Sequence, residues 1–398
     1  MDDHPKNVKD LLAGAKDASE LMVDLAYAAV FFNEEKLARE VDRLEERMGD
    51  DLHALRTLAM LAARNPDDAE MLAGVLWIAD AVEKIGDAAS DIARVVAAKL
   101  GIPDALRRDL RHADEMTARV RVRTDAPSIG RSLRDLSLPT ETGMWVMAIR
   151  RGDEWEFDPG ADDVLAEDDV LLVRGPAEGV QWVRELTGGP ATPEPDADDA
   201  PPLSELDRAV DILVEMKDLS EVAVGLAYSS LLFNNRSLAA EVGSLEARSD
   251  TLHDELESWV LRSAPEARDP EELRGLLRLA SASEVMCDAA RDMTWYVEQG
   301  EPLHPVIQLA LEETEETSAQ AVVRAGSPAD GHSIRELEIE TETGMFVLAV
   351  QRGARWNYRP RSGFRLAAGD RIIAVGTEDG GDELAALCGE EPEGDEED

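Results

Sequence analysis

The stretch EKIGDAASDIA at residues 83–93 returns as SEVMCDAARDM at residues 283–293. Glu83, Asp87 and Asp91 recur as Glu284, Asp288 and Asp292, an offset of 201 residues. On a helix, carboxylates at i, i+4 and i+8 share one face, with neighbours about 6 Å apart. Their repulsion destabilises an isolated helix by roughly 0.2–0.5 kcal/mol per pair. A hard, oxygen-seeking divalent cation shared with a second helix offsets that cost, and so does concentrated salt. The segment preceding each triad carries the same E-x-x-x-D spacing, at Glu46/Asp50 and Glu246/Asp250. The strict offset sets Glu246 against Glu45 rather than Glu46, so the register of these pairs is open by one residue. The spacing thus supports two readings, a divalent-metal site on the ten acids and a salt-solvated acidic surface.

The helices that must carry these acids are legible. Val75, Ile78, Val82, Ile85, Ala89 and Ile92 form an apolar stripe. At about 100° per residue, Asp87 points nearly opposite it, so the acids face away from the core. Upstream, Leu11, Ala15, Ala18, Met22, Leu25, Ala29 and Phe32 step by alternating fours and threes, the mark of a buried helical face. Their counterparts Ile212, Met216, Leu219, Ala223, Leu226, Ser230 and Phe233 exchange large and small residues while keeping the stripe, as packing does. Helices are expected over about 6–33, 34–63 and 68–100, the last stopping at Gly101 with Pro103 beyond. A shorter helix over roughly 104–118 leads out of this three-helix bundle.

Near residue 119 the period changes to two. RVRVRT, MWVMAI and VLLVRG read as strands between Gly, Pro and Asp turns, and PAEGVQWVREL closes the unit as an amphipathic helix. Nearly the whole chain is then repeated: VDLAYAAVFFN matches VGLAYSSLLFN, and ETGMWVMAIRRGDEW matches ETGMFVLAVQRGARW. The expected divisions are helical half 1 (1–118), module 1 (119–187), a Pro- and Asp-rich linker (188–203), helical half 2 (204–320), module 2 (321–389) and an acidic tail (390–398).

Among 398 residues there are 85 acids and 41 bases, for a net charge of −44, and only seven of the bases are lysine. Dispersed acid with little lysine fits a salt-adapted, haloarchaeal type of protein. The charge excludes a basic footprint for nucleic acid and disfavours adhesion to anionic lipid. Cys287 and Cys388 are too few for a thiolate cluster or disulfide framework. The longest apolar stretch, LMVDLAYAAVFF, is interrupted by Asp24 and reads as a buried helix. A cytoplasmic protein is expected, peripheral at a membrane through a transporter partner. Tyr27/Tyr228, Asn33/Asn234 and Trp155/Trp356 recur as packing and capping residues. The histidines share no ligand spacing, and Cys287, opposite Gly86, is a small helix residue.

The module IGRSLRDLSLPTETGMWVMAIRRGDEWEFDPGADDVLAEDDVLLVRG resembles the RCK_C or TrkA-C family, the C-terminal domain of potassium-uptake regulators. Gly130, Ser132, Leu133, Leu136, Thr142, Gly143, the A-I-x-R-G run and Pro159 carry the likeness. GDRIIAVG (369–376), expected as a hairpin, is its most typical piece, with Asp168-Asp169 in place of Gly-Asp in the first copy. The resemblance implies a ligand-sensing, dimerising module attached to cation-transport machinery. No G-x-G-x-x-G follows a strand, which argues against the nucleotide gating usual beside such modules. EKIGDAASDIA in turn resembles the helical signature of the PhoU family, with Ala88 at its His position and Asp91 at its Asn position. That resemblance implies metal ions on the bundle surface.

The fold expected is therefore a multidomain one, α and α/β. Two PhoU-like three-helix halves, each followed by an RCK_C-type module, are duplicated in tandem and pair as an intramolecular pseudo-dimer, with a homodimer as a further assembly. The function expected is non-catalytic regulation of potassium transport, with a small-molecule ligand at the modules and a membrane channel or transporter as partner. The alternative is a PhoU-like phosphate-response regulator. An enzyme built on a carboxylate-bridged metal is disfavoured, since no nucleophile or base histidine accompanies the acids.

Overall fold

The chain was analysed as a computed structural model. It describes residues 7–101, 106, 115–136, 138, 144–152, 154–157, 159–189, 205–265, 270–314, 316–353, 355–360 and 362–390. Thr142, Gly143, the acidic tail beyond 390 and the linker beyond 189 lie outside these residues, as does most of the helix expected over 104–118.

In chain order the first copy comprises α1 (Val8–Phe32), α2 (Glu35–Ala62), α3 (Pro66–Ala97), β1 (Glu115–Arg121), α4 (Leu133–Leu136), β2 (Trp145–Arg151), β3 (Glu154–Phe157), β4 (Val170–Pro176) and α5 (Ala177–Leu186). The second comprises α6 (Glu205–Leu232), α7 (Arg236–Ser263), α8 (Pro270–Gln299), α9 (Pro305–Glu312), β5 (Thr317–Val322), α10 (Ile339–Glu342), β6 (Phe346–Arg352), β7 (Arg355–Tyr358), β8 (Arg371–Gly376) and α11 (Glu378–Leu387). These elements form two compact units, residues 1–110 with 200–314 and residues 111–199 with 315–398. Each unit draws on both copies.

In the helical unit, local chemistry sets the helix ends. Asn7 and Asp10 form a capping box at the start of α1, and Asn33 ends the helix at φ 50°. Asn65 caps α3 by accepting from Asp68 N, with Pro66 in the first turn where its missing N–H costs nothing. The end of α3 differs from expectation. The left-handed residue is Lys99, at φ 53°, rather than Gly101. Leu100 N donates to Val95 O at 3.0 Å, closing the turn two residues early. The second copy places Gly300 there, at φ 73°, the residue type that adopts this conformation without strain.

The stripe Val75, Ile78, Val82, Ile85, Ala89 and Ile92 is buried throughout. On α1, Leu11, Ala15, Met22, Leu25 and Ala29 are buried, while Ala18 and Phe32 are half-buried. Contact between the copies runs along α3 and α8. A glycine lies at each end of that crossing. The space beside Gly74 is filled by the Tyr296 ring at 3.6 Å, and a Cβ at Gly275 would lie 2.4 Å from Gly101 O and 3.6 Å from Val95. Because 74/275 and 95/296 are equivalent pairs in the duplication, the crossing is two-fold in plan and different in detail at its two ends.

In the second unit each module holds a four-stranded antiparallel sheet, ordered β1-β4-β2-β3 and β5-β8-β6-β7. A bulge recurs at Val146/Ala148 and Val347/Ala349. β1 begins at Glu115, so residues 115–118 are strand and not the end of the expected helix. The short edge strands β3 and β7 were not expected; at four residues each they carry too little alternation to stand out. One sheet face packs Leu171, Val173 and Ile149 with Val180 and Val183 of α5. On the other face Leu172, Ala148, Ile373 and Ala349 are also wholly buried, and Arg174 forms an ion pair with Glu316 of the second module.

The family-typical motifs meet in these sheets. Arg352, the arginine of the second A-x-x-R-G run, donates to the buried Asp370 at 2.7 and 2.6 Å. Asp370 also accepts from Ala367 N at 2.9 Å. Arg151 and Asp169 repeat the pair at 3.3 Å. The Gly-Asp piece is therefore the turn entering β8 rather than a hairpin, and its Gly369 has φ 90°. Asp168 takes the equivalent conformation at φ 68°, which Asp tolerates better than most residues.

Candidate functional site

Glu246, Asp250 and Asp288 are brought together by α7 and α8. One ligand oxygen from each lies within 4.8 Å of the others. Oxygens bound to one Ca²⁺ or Mg²⁺ at about 2.1–2.5 Å can be no farther apart than roughly 5 Å, so this donor set fits a hard divalent ion. It is the one such group among the described residues. Arg291 Nη1 sits 2.7 Å from Glu246 Oε1, engaging one of that residue's two oxygens. Asp288, though exposed, is held above its ordinary pKa, first because neighbouring atoms displace part of its water and then because Glu284, Glu246, Asp250 and Asp292 surround it with like charge.

The first copy has a different arrangement. Asp87 is likewise held high, by burial and then by Glu83 and Asp91, with Arg94 opposing. The acid coupled to it from α2 is Glu45, itself held high by burial and then by Asp87. Glu46 and Asp50 are exposed. Glu45 is the 201-residue equivalent of Glu246, and the equivalent of Asp250 is Gly49. The first copy lacks the third carboxylate at that place.

The remaining acids of the triads are engaged by basic side chains. Arg56 bridges Asp80 and Glu83 at 2.6 and 2.5 Å. Asp91 lies 3.0 Å from Arg94 and 3.7 Å from Arg278. Glu284 meets His253 Nδ1 at 2.7 Å, and Asp292 meets Lys84 at 2.5 Å. The last pair, and that of Asp91 with Arg278, cross between the copies. Arg94 stands one turn from Asp91 on α3; no signal of spacing marks the other partners, since they come from other helices.

The recurrent tyrosines also have a place. Tyr27 on α1 lies under Lys217 of α6, whose Nζ is 5.3 Å from the ring. Tyr228 lies under Lys16 at 5.4 Å. Each lysine is buried and paired with a carboxylate one turn on, Glu221 and Glu20. In the second unit a cavity of about 420 Å³ is lined by Trp182 and Glu185 of α5 and by Ile334, Arg335, Ile339 and Thr341 of the second module. Sequence alone could not indicate it, because its walls come from both copies.

Two helical halves and two small four-stranded antiparallel modules define a duplicated multidomain protein. The sequence model of the PhoU domain matches residues 12–96 and 213–296, and that of the TrkA-C domain matches residues 117–188 and 319–389, so the chain carries each of these domains twice. No curated protein matches the chain. Among solved structures, PhoU from Pseudomonas aeruginosa is similar at 13% identity and a TM-score of 0.39, over 73% of this chain and 94% of that one. The phosphate transport system regulatory protein PhoU from Streptococcus pneumoniae is similar at 11% identity and a TM-score of 0.38, over 74% and 94%. The GsuK RCK domain is similar at 14% identity and a TM-score of 0.18, over 70% and 64%. No described helix is long and apolar enough to cross a membrane.

Proposed function

We propose that the protein regulates the transport of a monovalent cation, potassium, across a membrane, acting on a channel or transporter from the cytoplasmic side. The observation that carries this reading is the pairing of a TrkA-C domain with a PhoU domain in each copy. A small ligand at the modules, with the 420 Å³ cavity as its place, shifts the equilibrium between two arrangements of the chain. It does so only by as much as its affinities for the two differ. Rubidium-86 uptake by cells lacking the chain, with and without a restoring copy, tests the proposal. Uptake that changes on deletion and returns on restoration is expected, and uptake unchanged by deletion overturns it.

A second reading, a PhoU-type phosphate-response regulator with bound metal, is favoured by the convergence of Glu246, Asp250 and Asp288. Affinity capture of the tagged chain from phosphate-starved and potassium-starved cells separates the two. Partners gained only under phosphate starvation support the second reading.

A further inference from the structure

The end of the α3–α8 crossing that carries Gly74 also carries an aromatic ridge. The Trp77 and Trp295 rings lie 6.0 Å apart, and Tyr296 contacts both, at 6.5 and 5.0 Å. Both tryptophans are 44% exposed. The Trp77 indole N–H donates to the Asp292 carbonyl at 2.6 Å, so its polar edge is satisfied and the ring itself is what faces outward. Asp80 and Glu298 sit one turn along the same helices from Trp77 and Trp295. The equivalent end of the crossing is opposite in character. The duplication replaces Trp77 by Arg278, Trp295 by Arg94 and Tyr296 by Val95.

We propose that this ridge is the docking point for a Lys/Arg-rich loop of a membrane protein. Charge complementarity selects the occupant. Exposed indole faces attract guanidinium and ammonium groups, and exposed tryptophans are frequent anchors of interfaces. Glu298 adds to that attraction, Asp80 being already paired with Arg56, on a chain whose net charge is −44. The cytoplasmic loops of membrane proteins carry an excess of Lys and Arg. At the other end Arg94 and Arg278, both beside Asp91, offer no aromatic face, so each chain offers one such dock in spite of its duplication. This deepens the transporter-regulator reading and rests on it.

The test uses the full chain and a fluorescein-labelled twelve-residue peptide of alternating Arg and Ala, followed by fluorescence anisotropy. Trp77→Ala/Trp295→Ala is expected to weaken binding about tenfold, the sum of two partly desolvated cation–π contacts. Arg94→Ala/Arg278→Ala is expected to leave it unchanged or slightly tighter, and a Glu-Ala peptide is expected not to bind. If the alanine pair fails to fold, Trp77→Leu/Trp295→Leu keeps the bulk, removes the π faces and predicts the same loss. Equal losses from both ends, no binding by the unaltered chain, or stronger binding to anionic phosphatidylglycerol vesicles than to the peptide overturns the docking surface. Chain-dependent rubidium uptake alongside a peptide that does not bind sinks the dock and leaves the regulatory reading standing.

Discussion

The Tyr27 hydroxyl lies 3.1 Å from Ser283 Oγ, a buried hydrogen bond between the first helix of one copy and the last long helix of the other. Tyr228 also bonds across the copies, but to a different helix: its hydroxyl lies 3.3 Å from Ser19 Oγ on α1, since Val82 stands at the equivalent of Ser283. Both serines donate to carbonyls of their own helices, at Leu279 and Lys16, so the tyrosines supply the proton. Burial raises both phenols well above the ordinary tyrosine range, keeping them neutral donors. Tyr27→Phe and Tyr228→Phe should each lower stability by about 0.5–1.5 kcal/mol. The two losses should be similar, as read by urea unfolding. A loss at one site alone would show that only one of the two tyrosines holds the copies together by its hydroxyl.

Gly86 and Cys287 are equivalent positions facing Met48 and Ser249, which are also equivalent. A Cβ at Gly86 would meet Met48 Cε at 2.2 Å, whereas the second copy pairs a larger helix residue with a smaller neighbour. Gly86→Cys alone should cost about 1–3 kcal/mol through overpacking. Adding Met48→Ser should recover part of that cost, a coupling a double-mutant cycle measures directly. Strict additivity would contradict the packing described.

Arg352 and Asp370 join two motifs that the sequence presents 18 residues apart. Asp370 is almost wholly buried, at 1% exposed. Arg352→Ala should therefore cost about 1.5–3 kcal/mol, the worth of a hydrogen bond to a charged group. Arg151→Ala should cost less, because its contact with Asp169 is longer. Thermal melting of both variants checks the order.

The acidic cluster predicts a pH response of definite sign. Asp288 has a folded pKa above its ordinary value. The folded chain thus holds a proton that the unfolded chain has released. The contribution of this group to stability rises as pH falls through the folded pKa towards the ordinary value of about 3.9. Asp135 and Glu336, whose pKa values are lowered, respond in the opposite direction, so the difference between variants is the readout. Lowering the pH from 7 to about 4.5 should raise the Tm of the unaltered chain relative to Asp288→Asn. Mg²⁺ or Ca²⁺ at pH 7 should stabilise the unaltered chain more than the variant. Equal responses in both would remove the case for a cation site.

Much of this architecture was readable from spacing. The stripe from Val75 to Ile92 placed the core of α3 and set Asp87 on the outer face, because helical periodicity is a strong signal over eighteen residues. The duplication supplied the second half at once. What spacing could not supply is contact between elements. The choice of Glu45 over Glu46 depends on how α2 rolls against α3. The salt bridge of Asp91 to Arg278 and the walls of the 420 Å³ cavity depend on the other copy. The left-handed turn at Lys99 is not legible in the sequence, because Gly101, the better residue for that conformation, stands two positions further on.

The claim on which the account turns is that the helical halves of the two copies pair within one chain. Lys84 Nζ and Asp292 Oδ2 are 2.5 Å apart across α3 and α8, close enough for a zero-length carbodiimide cross-link. Treatment of a mixture of isotopically light and heavy chains, followed by mass spectrometry, should yield a peptide joining residues 84 and 292 in which both halves carry the same label. Absence of that peptide, or its recovery only with mixed labels, would contradict the pairing.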